Sequence, residues 1–111
     1  MDPFKDVETC LMEHLPELIE NFQDDLQELK ESLNELNISE VRRIAHGIKG
    51  AAGSIGLSDI QNSASAVEKL SIKIAESDSD FSSGSQELSQ KIDNLSEKIA
   101  QAADCLEEKG N

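Results

Sequence analysis

The sequence predicts an all-α protein, an antiparallel four-helix bundle with a short extra N-terminal helix. Three observations predict it. Apolar residues recur at spacings of three and four through four long segments, which puts them on one face of a helix in each. No segment alternates apolar and polar residues as a half-buried strand does, and no Asn-Gly or Asp-Gly hairpin turn occurs. The connections between the segments are short, as antiparallel neighbours in a bundle require.

The extra helix is expected over 4–13, with Asp2 as its cap and Pro3 in its first position. Pro16 then breaks the chain or opens the next helix, and His14 before it reads as an ordinary residue. Leu15, Leu18, Ile19, Phe22, Leu26, Leu29, Leu33 and Leu36 form the stripe of the first long helix. Asn37 is its expected stop, and Ser39 the expected N-cap of a second long helix over 40–54 that Gly56 closes. Ser58 is expected to cap the third, 59–76, with Ile60, Ala64, Val67, Leu70 or Ser71, and Ile74 facing inward. Residues 77–85, SDSDFSSGS, read as a loop, being small, polar and acidic. The last helix, 86–108, carries Leu88, Ile92, Leu95, Ile99, Ala102 or Ala103, and Leu106.

A chain of 111 residues that is 37% hydrophobic suits one domain, residues 1–111, with one core. Its formal net charge of −13 argues against nucleic acid and anionic membrane surfaces, both of which need cations from the protein. Aromatic residues are only 3%, too few for a base-stacking platform. No apolar run approaches the roughly 20 residues that span a bilayer, and no signal-peptide pattern is present, so the cytoplasm is the expected location. Cys10 and Cys105 lie in no metal-binding or redox spacing and read as ordinary thiols.

Against this acidic background, residues 41–58 hold no acid and three cations, Arg42, Arg43 and Lys49. On a helical wheel Ile44, Ile48 and Ile55 fall opposite His46, so the histidine faces away from the core. Within about 60° of it lie Arg42, Arg43, Lys49, Gly50 and Gly53. Each glycine costs about 1 kcal/mol relative to alanine in a helix interior, so a bare backbone there points to close approach by a partner or a phosphate. A free imidazole is largely unprotonated near neutral pH and can attack a phosphoryl group, whose charge the neighbouring cations offset. No second histidine or carboxylate shares that face to make a metal site, and no Ser-His-acid set has credible spacing. GIKGAAGSIG lacks both the preceding strand and the spacing of a nucleotide-binding loop.

The stretch AHGIKGAAGSIG, residues 45–56, resembles the signature of histidine-containing phosphotransfer (HPt) domains, with His46, Lys49, Gly50, Ala52 and Gly56 in matching places. Val67 and Glu68 resemble the hydrophobic-Glu pair of the family's next helix, and the glycine-rich form is similar to the N-terminal phosphotransfer domain of chemotaxis histidine kinases. The resemblance implies a phosphorelay intermediate without kinase activity of its own. It would be a monomer that accepts a phosphoryl group on His46 and exchanges it with an aspartate of a response-regulator receiver domain. A sensor or hybrid histidine kinase is the other implied partner. No cofactor is expected on this chain; Mg²⁺ is expected on the receiver. Lys49 would neutralise the phosphoryl group, Gly50 would give the receiver clearance, and Glu68 would orient the imidazole. Arg42 and Arg43 are further candidates to stabilise the phosphate, and Gly53 a second docking glycine. The other function considered is a helical adaptor that binds an acidic partner through the basic face.

Overall fold

The computed structural model describes residues 13–76 and 81–110. Four helices run through them: α1 Leu15–Asn34, α2 Ile38–Ile55, α3 Ser58–Glu76 and α4 Phe81–Gly110. Each helix packs on the next along the chain, and α4 returns against α1 to close a four-helix bundle. The predicted stripes meet inside it. Leu15, Phe22 and Leu29 of α1, Val41, Ala45 and Ile48 of α2, Ala64 and Val67 of α3, and Leu88, Leu95 and Ile99 of α4 are all almost wholly buried. Where the stripe was ambiguous, Ser71 and Ala102 are the fully buried members, while Leu70 and Ala103 are half-buried. Ser71 tolerates that burial because its hydroxyl donates to the Val67 carbonyl at 2.8 Å.

The helix ends differ from expectation in ways that local chemistry explains. The expected N-terminal helix lies outside the described residues, apart from Glu13. His14 takes the N-cap position of α1, where its side chain makes no capping bond and a proline occupies the first turn. α1 stops at Asn34, two residues short of Leu36. The Leu36 N–H donates to the Leu33 carbonyl at 2.9 Å and the Asn37 N–H to that of Ser32 at 2.8 Å. These bonds close the helix with Leu36 in the left-handed region, at φ 60°, so Leu36 leaves the stripe and stands exposed.

Asn37, not Ser39, caps α2: its side chain accepts from the Glu40 N–H at 3.3 Å. Ser39 lies in the first turn, and its hydroxyl donates to the same Asn37 oxygen at 3.4 Å. The earlier start lets Ile38 join the buried face. Gly56 ends α2 in the left-handed conformation at φ 89°, as its residue type predicts. Ser58 is the first residue of α3 rather than its cap.

The stretch expected as a loop over 77–85 is helical from Phe81 onward; 77–80 lie outside the described residues. Its composition is that of a loop, but tertiary packing overrides it. At Gly84 a Cβ would come within 2.9 Å of the Ile74 side chain, so the absence of a side chain there lets the first turns of α4 close onto α3.

Candidate functional site

The site grows out of the register of α2 against α3. The two helices turn back on each other at Gly56 and Leu57. His46 then meets Glu68, and Gly53 meets Gln61. Both pairs are centred on residue 57, as an antiparallel hairpin of helices dictates. Along α2, Val41, Ala45, Ile48 and Ala52 point to the core, and the 3.6-residue repeat turns Arg42, Arg43, His46, Gly47 and Gly50 outward.

Glu68 is the unexpected member of the core stripe. It follows Val67, lies one turn after Ala64 and one turn before Ser71, and is 8% exposed. A carboxylate is rarely buried to that degree without partners. Glu68 has two. Its Oε1 accepts from Lys49 Nζ at 2.6 Å, and its Oε2 lies 2.5 Å from His46 Nδ1. The Lys49 bond lowers the Glu68 pKa most; burial pushes it back up, and the His46 bond lowers it again, leaving it below the usual carboxylate value. An ionised carboxylate can only accept hydrogen bonds, so His46 Nδ1 carries the proton. In the neutral form of the ring the lone pair is then on Nε2. The His46 side chain is 69% exposed, so its outer edge is open to a reactant.

The cations divide into three roles. Lys49 is held on Glu68 and only about a third exposed, so it reaches the imidazole's neighbour rather than solvent. Arg43 pairs with Glu40 one turn back on the same helix. That bond raises its pKa most, and Glu28 and Asp25 of α1 add to the effect. Arg42 makes no hydrogen bond or ion pair among the described residues. Together with Ser39, Arg43, His46 and Glu68 it lines an open cleft of about 380 Å³ on the side of His46 toward the start of α2.

The glycines also divide. A side chain at Gly50 would meet nothing within 4 Å, and the same holds at Gly47. Both stand beside His46 on the outer surface. Gly53 is half-buried instead, and a Cβ there would come within 2.5 Å of Gln61 Nε2. The wheel angle put it beside His46, but α3 covers that end of α2. Gly47, immediately after the histidine, is the bare position that wheel angles passed over. Its open surroundings depend on where α3 stops covering α2, which periodicity alone does not reveal. No group of three or more histidine, cysteine or carboxylate side chains is placed to hold a metal among the described residues. Nor is any described helix long and apolar enough to cross a membrane. Cys105 is a free, half-buried thiol remote in sequence from the site, and Cys10 lies outside the described residues.

A family model described as "Hpt domain" matches residues 13–104, most of the chain. No similar curated protein and no similar solved structure was found.

Proposed function

Because the chain belongs to the Hpt domain family, whose members carry phosphoryl groups on a histidine in phosphorelay signalling, we propose that His46 Nε2 is the phosphoryl acceptor. Its exchange partner is an aspartate of a response-regulator receiver domain. The observation that carries this reading is the bond between buried Glu68 and His46 Nδ1, at 2.5 Å, with the opposite ring edge exposed.

That bond does two things. It holds the proton on Nδ1, so that Nε2 presents its lone pair outward. It also stabilises the product. When Nε2 attacks the phosphorus of a phosphoaspartate, the bond from phosphorus to the aspartyl oxygen breaks and the carboxylate leaves. The ring then carries both a phosphoryl group and the Nδ1 proton, and so becomes cationic. The ionised Glu68 offsets that charge from 2.5 Å. Return of the group to an aspartate reverses each step and needs no other proton donor.

The groups around His46 fit the same exchange. Lys49 acts through Glu68, keeping its carboxylate ionised and placed. Arg42, unpaired at the mouth of the cleft, reaches the phosphoryl oxygens, whereas Arg43 is already committed to Glu40. Gly47 and Gly50 leave the receiver room to bring its aspartate up to Nε2. The acid-free stretch over 41–58 reduces repulsion toward an acidic receiver site in a chain of net charge −13. The chain itself binds no cofactor in this scheme; Mg²⁺ belongs to the receiver.

The test is transfer of labelled phosphate from phosphorylated receiver domains. The wild-type chain should gain an acid-labile phosphate on Nε2, assigned by phosphorus NMR. His46→Gln should gain none while keeping its helical circular dichroism. Label persisting in His46→Gln, or lost in His14→Gln, would refute the assignment.

A further inference from the structure

His46 has different surroundings on its two sides along α2. Toward the end of the helix lie the bare positions Gly47 and Gly50. Toward its start lies the open cleft of about 380 Å³ that Ser39, Arg42, Arg43, His46 and Glu68 line. Helical side chains lean toward the N-terminus of their own helix, so the imidazole inclines to the cleft rather than to the glycines.

The cleft has the size of a small-molecule site, about 300–1,000 Å³, and more room than one phosphoryl group on Nε2 fills. Two guanidiniums set its charge. Arg42 makes no hydrogen bond or ion pair among the described residues, and Arg43 is bonded to Glu40 through one carboxylate oxygen. The only carboxylate in the lining, Glu68, is already held by Lys49 and His46. The cleft therefore offers cations to a small anion beside an exposed nucleophile. Its lining cannot protonate a leaving group: Glu68 is ionised and a guanidinium keeps its protons. A donor that reacts there must have a leaving group that departs without an acid.

We propose that the cleft makes His46 a direct acceptor from low-molecular-weight phosphoryl donors of that kind, acyl phosphates and phosphoramidate. The inference rests on His46 Nε2 being the acceptor, as proposed above, and adds a donor that needs no receiver. The donor's phosphoryl oxygens sit on Arg42, and the Nε2 lone pair attacks the phosphorus. In an acyl phosphate the phosphorus–oxygen bond breaks and its electron pair leaves with the carboxylate. In phosphoramidate, whose nitrogen already carries three protons, the phosphorus–nitrogen bond breaks and ammonia leaves. The ring keeps its Nδ1 proton on Glu68 and becomes the cationic phosphohistidine. A phosphate monoester would have to expel an alkoxide and does not react.

The molecule contains its own reference. His14 is exposed as well, at the N-cap of α1, and is no part of the cleft lining. The full chain is incubated with phosphoramidate, acetyl phosphate or glycerol phosphate at varied concentration, with no receiver present. Label at each histidine is followed by phosphorus NMR and mass spectrometry. With the first two donors His46 should be labelled at least about tenfold faster than His14, and its rate should saturate on the order of millimolar donor. Glycerol phosphate should give no label. Arg42→Gln should melt as wild type does and raise the half-saturating concentration roughly fivefold. Lys30→Gln, which removes the same charge from an exposed position of α1, should leave it unchanged.

A rate that stays linear in donor, that equals the rate at His14, or that is unchanged in a folded Arg42→Gln overturns the inference, because His46 would then react as any exposed imidazole does. Saturation and the His14 comparison are read on the wild-type chain, so they decide the matter even where a variant fails to fold. No label from either small donor, in a chain that a phosphorylated receiver labels on His46, also overturns it and leaves the carrier function standing. Label from the small donors with none from any receiver refutes the receiver as partner and supports the cleft. No label at His46 from any donor refutes the acceptor assignment and this inference with it.

Discussion

Two carboxylates pair with cations of α2, and they differ in where they stand. Glu40 holds Arg43 one turn away on the same helix, with the two side chains 36% and 67% exposed. Glu68 reaches across from α3 to hold Lys49 and His46, and its side chain is only 10% exposed. Water competes for every charge of the first pair, so its net worth is small. Glu68 has been taken out of water, so its partners must replace most of its solvation. The same type of contact is therefore a surface detail at Glu40 and a fixed element of the site at Glu68. Burial also explains the direction of control: Glu68 is placed by packing between Val67 and Ser71, and it in turn places the imidazole.

Removing the Glu68 charge should break this contrast most visibly. Glu68→Gln keeps the shape but weakens the hold on the Nδ1 proton and the compensation of the cationic ring. Phosphoryl transfer to His46 should fall at least about tenfold, as when the orienting carboxylate of a catalytic histidine is neutralised. The matched change Glu40→Gln should leave transfer within about twofold. Equal losses in the two variants would mean that burial does not distinguish them.

Acid unfolding sharpens the same comparison. The Glu68 pKa lies below its ordinary value of 4.5 in the folded protein, so its pairing contributes stability above that pH. The contribution disappears as pH falls through the lower, folded value. Wild type should therefore lose stability steeply below about pH 4.5, and Glu68→Gln should flatten that limb of the denaturation curve. An unchanged acid limb would show that Glu68 is not held ionised by its partners.

Lys49→Ala comes next in size. Surface position on the wheel predicts a change under about 0.5 kcal/mol. The bond to buried Glu68 raises the expectation to about 1–2 kcal/mol, discounted for the exposed third of Lys49. That is a fall of several degrees in melting temperature for a domain of this size, measured by calorimetry. The smallest effect is expected for Arg43→Ala, with a melting temperature close to that of wild type, because its pair with Glu40 is local and solvated. A larger loss at Arg43 than at Lys49 would reverse the ranking.

The sequence by itself determined most of the course of the four described helices, their inward faces and the outward position of His46. These follow from the i to i+4 backbone bond and its 3.6-residue repeat, which any short stretch of chain carries within itself. His46 opposite Ile44 and Ile48, Gly56 in a left-handed turn, and the stripe from Leu15 to Leu33 are of this kind. Glu68 was half legible: its place among Ala64, Val67 and Ser71 marks a carboxylate on an inward face, and the HPt resemblance suggested a role for it. Which residues of α2 it meets depends on how α2 and α3 pack along their whole length, and that register is not a property of either helix alone. The same reason separates Gly50 from Gly53, two residues of one wheel sector that α3 leaves open in one case and covers with Gln61 in the other. Tertiary structure also decided that Phe81 begins a helix despite loop-like composition, because Gly84 lets α4 close onto Ile74, and that Leu36 leaves the core at the turn.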